Sequence, residues 1–175
     1  MAEINNNLWA PWRMEYIRSL ADTDQNGGCF LCDYWRDPEH DEANRVLWRK
    51  PATFVVMNRF PYTNGHLLVA HAHHTGDFES LESVNLIEMT ETIRDAVAVL
   101  RRTINPQGFN IGYNIGQCAG AGLPGHLHAH IVPRWSGDTN FMAVLGDVRM
   151  IPDALDALWG ELETSAAAMG LTDSV

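Results

Sequence analysis

Lysine is nearly absent from this 175-residue chain. Lys50 is the only one, and 12 basic residues stand against 22 acidic ones, a formal net charge of −10. So few cations cannot neutralise a run of phosphates, and general affinity for nucleic acid is not expected. A small anion is a different case, because backbone amides, a few arginines or a metal can create a local positive site. Cysteine is scarce too: Cys29, Cys32 and Cys118 are an odd three, which does not suit a secreted disulfide framework. Long apolar runs are missing, since stretches such as Leu67–Ala70 and Ala96–Leu100 are far too short to span a membrane. The opening MAEINNNLWAPW has no basic start followed by an apolar stretch, so no signal peptide is expected and a cytoplasmic protein is the default. Neither an internal repeat nor a low-complexity tract is visible.

What remains fits one compact domain with a real core: 46% of residues are hydrophobic and 9% aromatic. Residues 8–20 read as an apolar arm running into a short helix, 21–28 as a turn-rich loop and 36–44 as a second loop around Pro38. Val46–Arg49 and Thr53–Asn58 read as a hairpin, and Leu67–His71 as a third strand. The strongest helical pattern covers 81–104, where Leu81, Val84, Leu86, Ile87, Ile93, Val97, Leu100 and Ile104 recur at helical spacing. Leu86, Ile87, Ile93 and Val97 suit the core better than an interface. Pro106 and Gly108 end the helix, Phe109–Ile115 resumes a strand, and Leu127–Val132 makes another that Pro133 stops. Residues 152–168 read as a closing helix. Strands, one long helix, two strands and a tail make an α+β layout: an antiparallel sheet of about five strands with the helix across one face. The expected organisation is a single domain over 1–175, with an N-terminal arm and loop (1–28), a catalytic core (45–135) and a C-terminal extension (136–175).

Eight histidines are many for this length, and their placement matters more than their number. His126, His128 and His130 alternate with Leu127, Ala129 and Ile131. On a strand this puts three imidazoles on one face and an apolar set on the other. Gly116–Gly125, with four glycines in ten residues, leads into this strand and can bring backbone amides close to a ligand. A three-histidine metal site is awkward here, because same-face positions lie about 7 Å apart along a strand. Cys29 and Cys32 form a Cys-x-x-Cys pair, which reads as a metal or redox motif; Cys118 reads as a free thiol.

The run His126-x-His128-x-His130-Ile-Val resembles the His-x-His-x-His signature of the histidine-triad family. FVVMNRFPYTNGHLLV (54–69) is similar to the family's ribose-binding segment, and FNIGYNIG (109–116) to the strand carrying its asparagine. LWAPWRMEYI and HIVPRWSGDTNF resemble the branch of diadenosine tetraphosphate phosphorylases. Together the similarity spans most of residues 8–160.

The resemblance implies that His128 attacks the α-phosphorus of a nucleotide and carries a nucleotidyl group, with its other ring nitrogen held by an acceptor such as a backbone carbonyl. It implies that His130 hydrogen-bonds the phosphate, and that His66 is an additional active-site histidine. Asn58 takes the ribose-contacting position and Asn114 the family asparagine. Gly120 and Gly122 lie where amides meet phosphate, and Arg59 and Arg134 are candidates for further phosphates. The loop departs from the family pattern: Ala121, Gly122 and Leu123 offer no hydroxyl or amide side chain to the leaving group, and Gln117 is the nearest substitute. Many relatives bind zinc through a Cys-x-x-Cys and two histidines, which map onto Cys29, Cys32, His74 and His126; His73 is an alternative to His74. A redox pair or two buried thiols are the other readings of the cysteines. No organic cofactor is implied. The expected reaction is phosphorolysis of diadenosine tetraphosphate to ADP and ATP, with inorganic phosphate as acceptor. Hydrolysis of dinucleoside polyphosphates or nucleoside phosphoramidates is the alternative, and a non-catalytic nucleotide-binding module is a third. A homodimer is the family's common assembly.

Overall fold

The computed structural model describes residues 28–138 and 155–172. The expected arm over 8–20, the start of the loop over 21–28 and the end of the HIVPRWSGDTNF stretch lie outside the described residues. So do positions 152–154 of the closing helix.

Helix α1 (Phe30–Arg36) is followed by a 3-10 turn over Pro38–His40 and the short α2 (Asp41–Asn44). Strands β1 (Val46–Arg49), β2 (Thr53–Met57) and β3 (Leu67–His71) precede the long α3 (Ser83–Ile104). Strands β4 (Gly108–Tyr113) and β5 (His128–Arg134) come next, and α4 (Leu155–Ala167) closes the described chain. The five strands form one sheet in the order β1-β2-β3-β5-β4, and every neighbouring pair is antiparallel. The α+β layout read from sequence is therefore the observed one.

Two expected element boundaries are corrected. Residues 36–44 are mostly helical turns rather than loop. Pro38 sits in the first turn, where its missing N–H has no helical acceptor to lose. Strand β5 does not stop at Pro133 but runs to Arg134, pairing Pro133 with Phe109. The Pro133 carbonyl accepts a hydrogen bond from the Thr63 hydroxyl at 2.8 Å, so this residue's backbone polar groups face the β3 side. Pairing with β3 has already ended at Ile131, so proline's absent N–H interrupts no ladder there.

Alternation divides the sheet into two faces. Val55, Met57, Leu67, Val69, Ala129 and Ile131 pack against Ala96, Val99 and Leu100 of α3 and Leu158 and Leu162 of α4. Val56, Phe54, Leu68 and Ala70 meet Leu31 of α1 on the other face. The buried stripe of α3 is Met89, Thr92, Ala96, Val99 and Leu100. Ile87 points outward and is 59% exposed, so its assignment to the core is corrected, while Ile93 and Val97 pack against the core as expected. Thr92 can take a core position because its hydroxyl bonds the Glu88 carbonyl at 2.8 Å and meets the Thr53 hydroxyl at 3.0 Å. Gly65, at φ +74°, turns the chain into β3 where a Cβ would lie 3.1 Å from Leu100 Cδ2 and closer still to Ile104.

Candidate active site

The triad strand lies between β3 and β4, and its histidines take the face opposite the one that packs on α3. His128 stands beside Ala70 of β3, and His130 lies between Leu68 and Gly112. The partners beside the imidazoles are small where space is needed: a Cβ added at Gly112 would meet nothing within 4 Å. Glycine at this strand position leaves the face next to His130 open.

His128 is 7% exposed. Its Nδ1–H donates to the His126 carbonyl at 2.7 Å, so Nε2 keeps its lone pair. Burial pushes its pKa below the usual imidazole value, against the pull of that hydrogen bond, which keeps the ring neutral near neutral pH. Burial, with His128 close by, lowers His130 to about 4. Behind His130 lies His66, fully buried, with Nε2 3.0 Å from His130 Nδ1. Asn58 Nδ2 and the Tyr62 backbone N–H both approach His66 Nδ1 at 3.1 Å. Asn114 Nδ2 lies 3.3 Å from His130 Nε2. Tyr62 stacks on this pair, its ring centroid 4.6 Å from that of His66 and 5.9 Å from that of His130.

Five of the sequence-named residues, His128, His130, His66, Asn58 and Asn114, therefore converge. The others stand apart from this network. Gln117 is exposed on a 3-10 turn, and Gly120, at φ +85°, closes that turn; Gly122 follows in the same loop. Arg59 is exposed and makes no hydrogen bond or ion pair among the described residues. Arg134 shares the triad's face by parity, but its guanidinium is paired with Asp138 and donates to Asn110 Oδ1 at 2.6 Å. Sequence reasoning missed Tyr62, which contributes a backbone N–H and a ring face, and the carbonyls of His126 and His71.

A second cluster adjoins the first. Cys29, Cys32, His74 and His126 each offer a ligand atom, and these atoms lie within 4.8 Å of one another. Cys29 Sγ is 3.1 Å and Cys32 Sγ 3.4 Å from His126 Nδ1, and Cys32 Sγ is 3.3 Å from His74 Nδ1. A tetrahedron with metal–ligand bonds of about 2.0–2.3 Å has edges of about 3.3–3.8 Å, close to this spacing. His126 Nε2–H donates to the His71 carbonyl at 2.6 Å, which turns Nδ1 toward the thiols, the usual arrangement around a metal-bound imidazole. Burial pushes the Cys29 thiol up to about 11 and His126 down to about 4, so neither of these two groups is charged near neutral pH without a metal. His73 lies outside the cluster and is exposed. Cys118 is a free, exposed thiol.

Comparison with known proteins agrees with this geometry. The family model described as HIT domain matches residues 39–137. A protein named AP-4-A phosphorylase from Mycobacterium tuberculosis (strain ATCC 25618 / H37Rv) is 34% identical over 151 residues, covering 85% of this chain and 77% of that relative. Among solved structures, a zinc-bound histidine triad family protein from Mycobacterium smegmatis aligns with a TM-score of 0.64 at 23% identity, over 82% of this chain and 98% of that one. A hypothetical histidine triad nucleotide-binding protein from Sulfolobus tokodaii aligns with a TM-score of 0.64 at 20% identity, over 81% of this chain and 93% of that one. These two establish the shared fold. With the alternating histidines, the sheet order and the family match all in agreement, the chain belongs to the HIT family.

Proposed function

We propose that this protein is a dinucleoside polyphosphate phosphorylase that works through a nucleotidyl-His128 intermediate. The observation that carries this reading is the hydrogen bond from His128 Nδ1–H to the His126 carbonyl, which leaves Nε2 as a bare, neutral nucleophile. Nε2 attacks an α-phosphorus of diadenosine tetraphosphate, the bond from that phosphorus to its bridging oxygen breaks, and ATP departs. An oxygen of inorganic phosphate then attacks the same phosphorus, the P–N bond breaks, and ADP forms while His128 returns to its starting state. His130 donates a hydrogen bond to a non-bridging oxygen as charge builds there. Asn58 and Asn114 hold the ribose side, and Gly120 and Gly122 present backbone amides to the phosphates. Gln117, Arg59 and Arg134 complete the proposed nucleotide contacts, Arg134 only by exchanging its pairing with Asp138. The 34% identity to a protein named AP-4-A phosphorylase supports phosphate rather than water as second acceptor.

The test is product analysis with diadenosine tetraphosphate. ADP plus ATP formed only when phosphate is present is the expected result. AMP plus ATP regardless of phosphate would refute the phosphorylase and make the protein a hydrolase. His128→Ala should lose on the order of 10⁴-fold in kcat while retaining nucleotide binding; unchanged turnover would sink the nucleophile assignment.

Cys29, Cys32, His74 and His126 are proposed to hold one zinc ion. When bound, it supplies a structural cross-link and four filled positions, with none left for substrate. It ties α1 and the segment after β3 to the start of the triad strand. Metal analysis of untagged protein should find about one zinc per chain. A fully active, metal-free protein would refute the site. We also read the whole of 1–175 as one HIT unit that pairs as a homodimer through the β4 edge, where Ile111 and Ile115 are exposed. Sedimentation of a monomer at micromolar concentration would refute the pairing.

A further inference from the structure

We propose that His66 is a positioning residue that locks His130 as the Nε2–H tautomer, so that a neutral ring presents a hydrogen-bond donor to phosphate. The proposal rests on the reading of His130 as the phosphate donor and deepens it.

The lock follows from a chain of donors whose first link is fixed. Asn58 Oδ1 accepts the Phe60 backbone N–H at 2.9 Å, which settles the orientation of the Asn58 amide and turns its Nδ2 toward His66. His66 Nδ1 then faces two N–H donors, Asn58 Nδ2 and the Tyr62 backbone, each at 3.1 Å. A nitrogen facing two donors must offer its lone pair, so it carries no proton. The proton of neutral His66 is therefore on Nε2, and it points at His130 Nδ1, 3.0 Å away. His130 Nδ1 is in turn an acceptor, and the proton of that ring is on Nε2. Nε2 faces the Asn114 carboxamide at 3.3 Å, whose oxygen must turn inward to receive it when no substrate is bound. A second proton on His130 would have to enter at Nδ1, against the His66 N–H. The same contact therefore selects the tautomer and opposes the cation.

His66 is 0% exposed, and its Nε2 reaches His130 Nδ1, the contact through which it acts on the proposed phosphate donor. The triad rings are set oppositely. His128 donates from Nδ1 and keeps Nε2 bare for attack, whereas His130 accepts at Nδ1 and keeps Nε2–H for donation. Two imidazoles two residues apart on one strand become nucleophile and donor through the partner given to each Nδ1.

Nitrogen NMR of protein labelled with ¹⁵N in histidine reads each tautomer without substrate. The expected result is Nε2–H for His66 and His130 and Nδ1–H for His128. An Nδ1–H tautomer at His130 would overturn the proposal. His66→Leu removes the donor to His130 and should lower kcat roughly 10- to 100-fold with KM changed far less, because the donor acts mainly on transition-state charge. His66→Gln keeps an N–H toward His130 and should restore kcat to within a few-fold. Wild-type kcat in His66→Leu, or equal impairment of the two variants, would reduce His66 to packing. If the wild-type protein turns over no dinucleoside polyphosphate, the proposed reaction fails, and the His130 tautomer still decides the lock.

Discussion

Gly76 offers a demanding test of how the proposed metal site and the triad strand are joined. It lies two residues after His74, and the segment around it packs on the end of the glycine-rich loop. The Leu127 N–H donates to the Thr75 carbonyl at 2.6 Å. A Cβ at Gly76 would lie 2.3 Å from the Pro124 carbonyl oxygen and 3.3 Å from Gly125 Cα. The overlap is with main chain, so no rotamer change relieves it. An ordinary contact needs about 3.5 Å, so the two segments must part by roughly 1 Å. Overpacking of this kind costs about 1–3 kcal/mol, and the upper half of that range is expected because both sides are backbone. Separation also draws His74 away from Cys32 and His126, so Gly76→Ala should weaken metal retention as well as the fold. Urea unfolding should show a midpoint about 1 M lower at unchanged slope, and zinc should pass faster to a competing chelator. Gly160→Ala is the control: it lies inside α4 with nothing within 4 Å of the new methyl, and it should stabilise by about 0.5–1 kcal/mol. A Gly76→Ala protein with the wild-type midpoint and the wild-type rate of zinc loss would refute the argument.

Three further outcomes are expected. Gly112→Ala adds a methyl to open space beside His130, so stability should change by less than about 0.5 kcal/mol while KM for the nucleotide rises, and an unchanged KM would show that substrate does not lie over β4. Arg49→Met should cost about 3–5 kcal/mol by urea unfolding, because the buried guanidinium is paired with Asp41, donates to the Tyr34 and Trp35 carbonyls, and lies 5.3 Å from the Trp35 ring centre. Burial, together with the nearby His128, holds His130 at about 4 in the folded protein against an ordinary 6.5. The unfolded chain therefore binds more protons between those values, and folding stability should fall as pH drops through that window. His130→Gln removes this titration, so its unfolding midpoint should depend less on pH across the same range; an equal dependence would remove His130 as the source.

The triad strand was legible because alternation is a property of residue types: His126, His128 and His130 against Leu127, Ala129 and Ile131 have one reading on a strand. The hairpin and β3 were legible for the same reason, since their β-branched and apolar runs are bounded by turn residues. Helix α1 was not. It is seven residues long, has no side-chain cap at Cys29, and buries only Leu31 and Cys32, so neither periodicity nor capping marks it. The inward face of α3 was misjudged at Ile87 because helical spacing leaves a choice between Ile87 and the stripe through Met89 and Thr92. A buried threonine is intelligible only once Thr53 of β2 stands opposite it. Arg134 had the right parity, but its engagement by Asp138 depends on a turn that composition does not specify.

The least legible part of the site is the part made of backbone, and it is what joins the two clusters. His126 donates from Nε2 to the His71 carbonyl, and its own carbonyl accepts from His128 Nδ1. The ring aimed at the thiols and the ring of the proposed nucleophile are thus consecutive links in one hydrogen-bonded chain. Each imidazole is oriented by a carbonyl whose residue identity is irrelevant to the bond. The two-residue spacing of the motif does more than place histidines on one face: it sets the carbonyl of one histidine within reach of the next ring's Nδ1. A shift of the His126 backbone therefore moves the acceptor that holds His128 in its Nδ1–H tautomer, and this is why disturbance of the cysteine–histidine cluster should reach the proposed nucleophile without touching substrate.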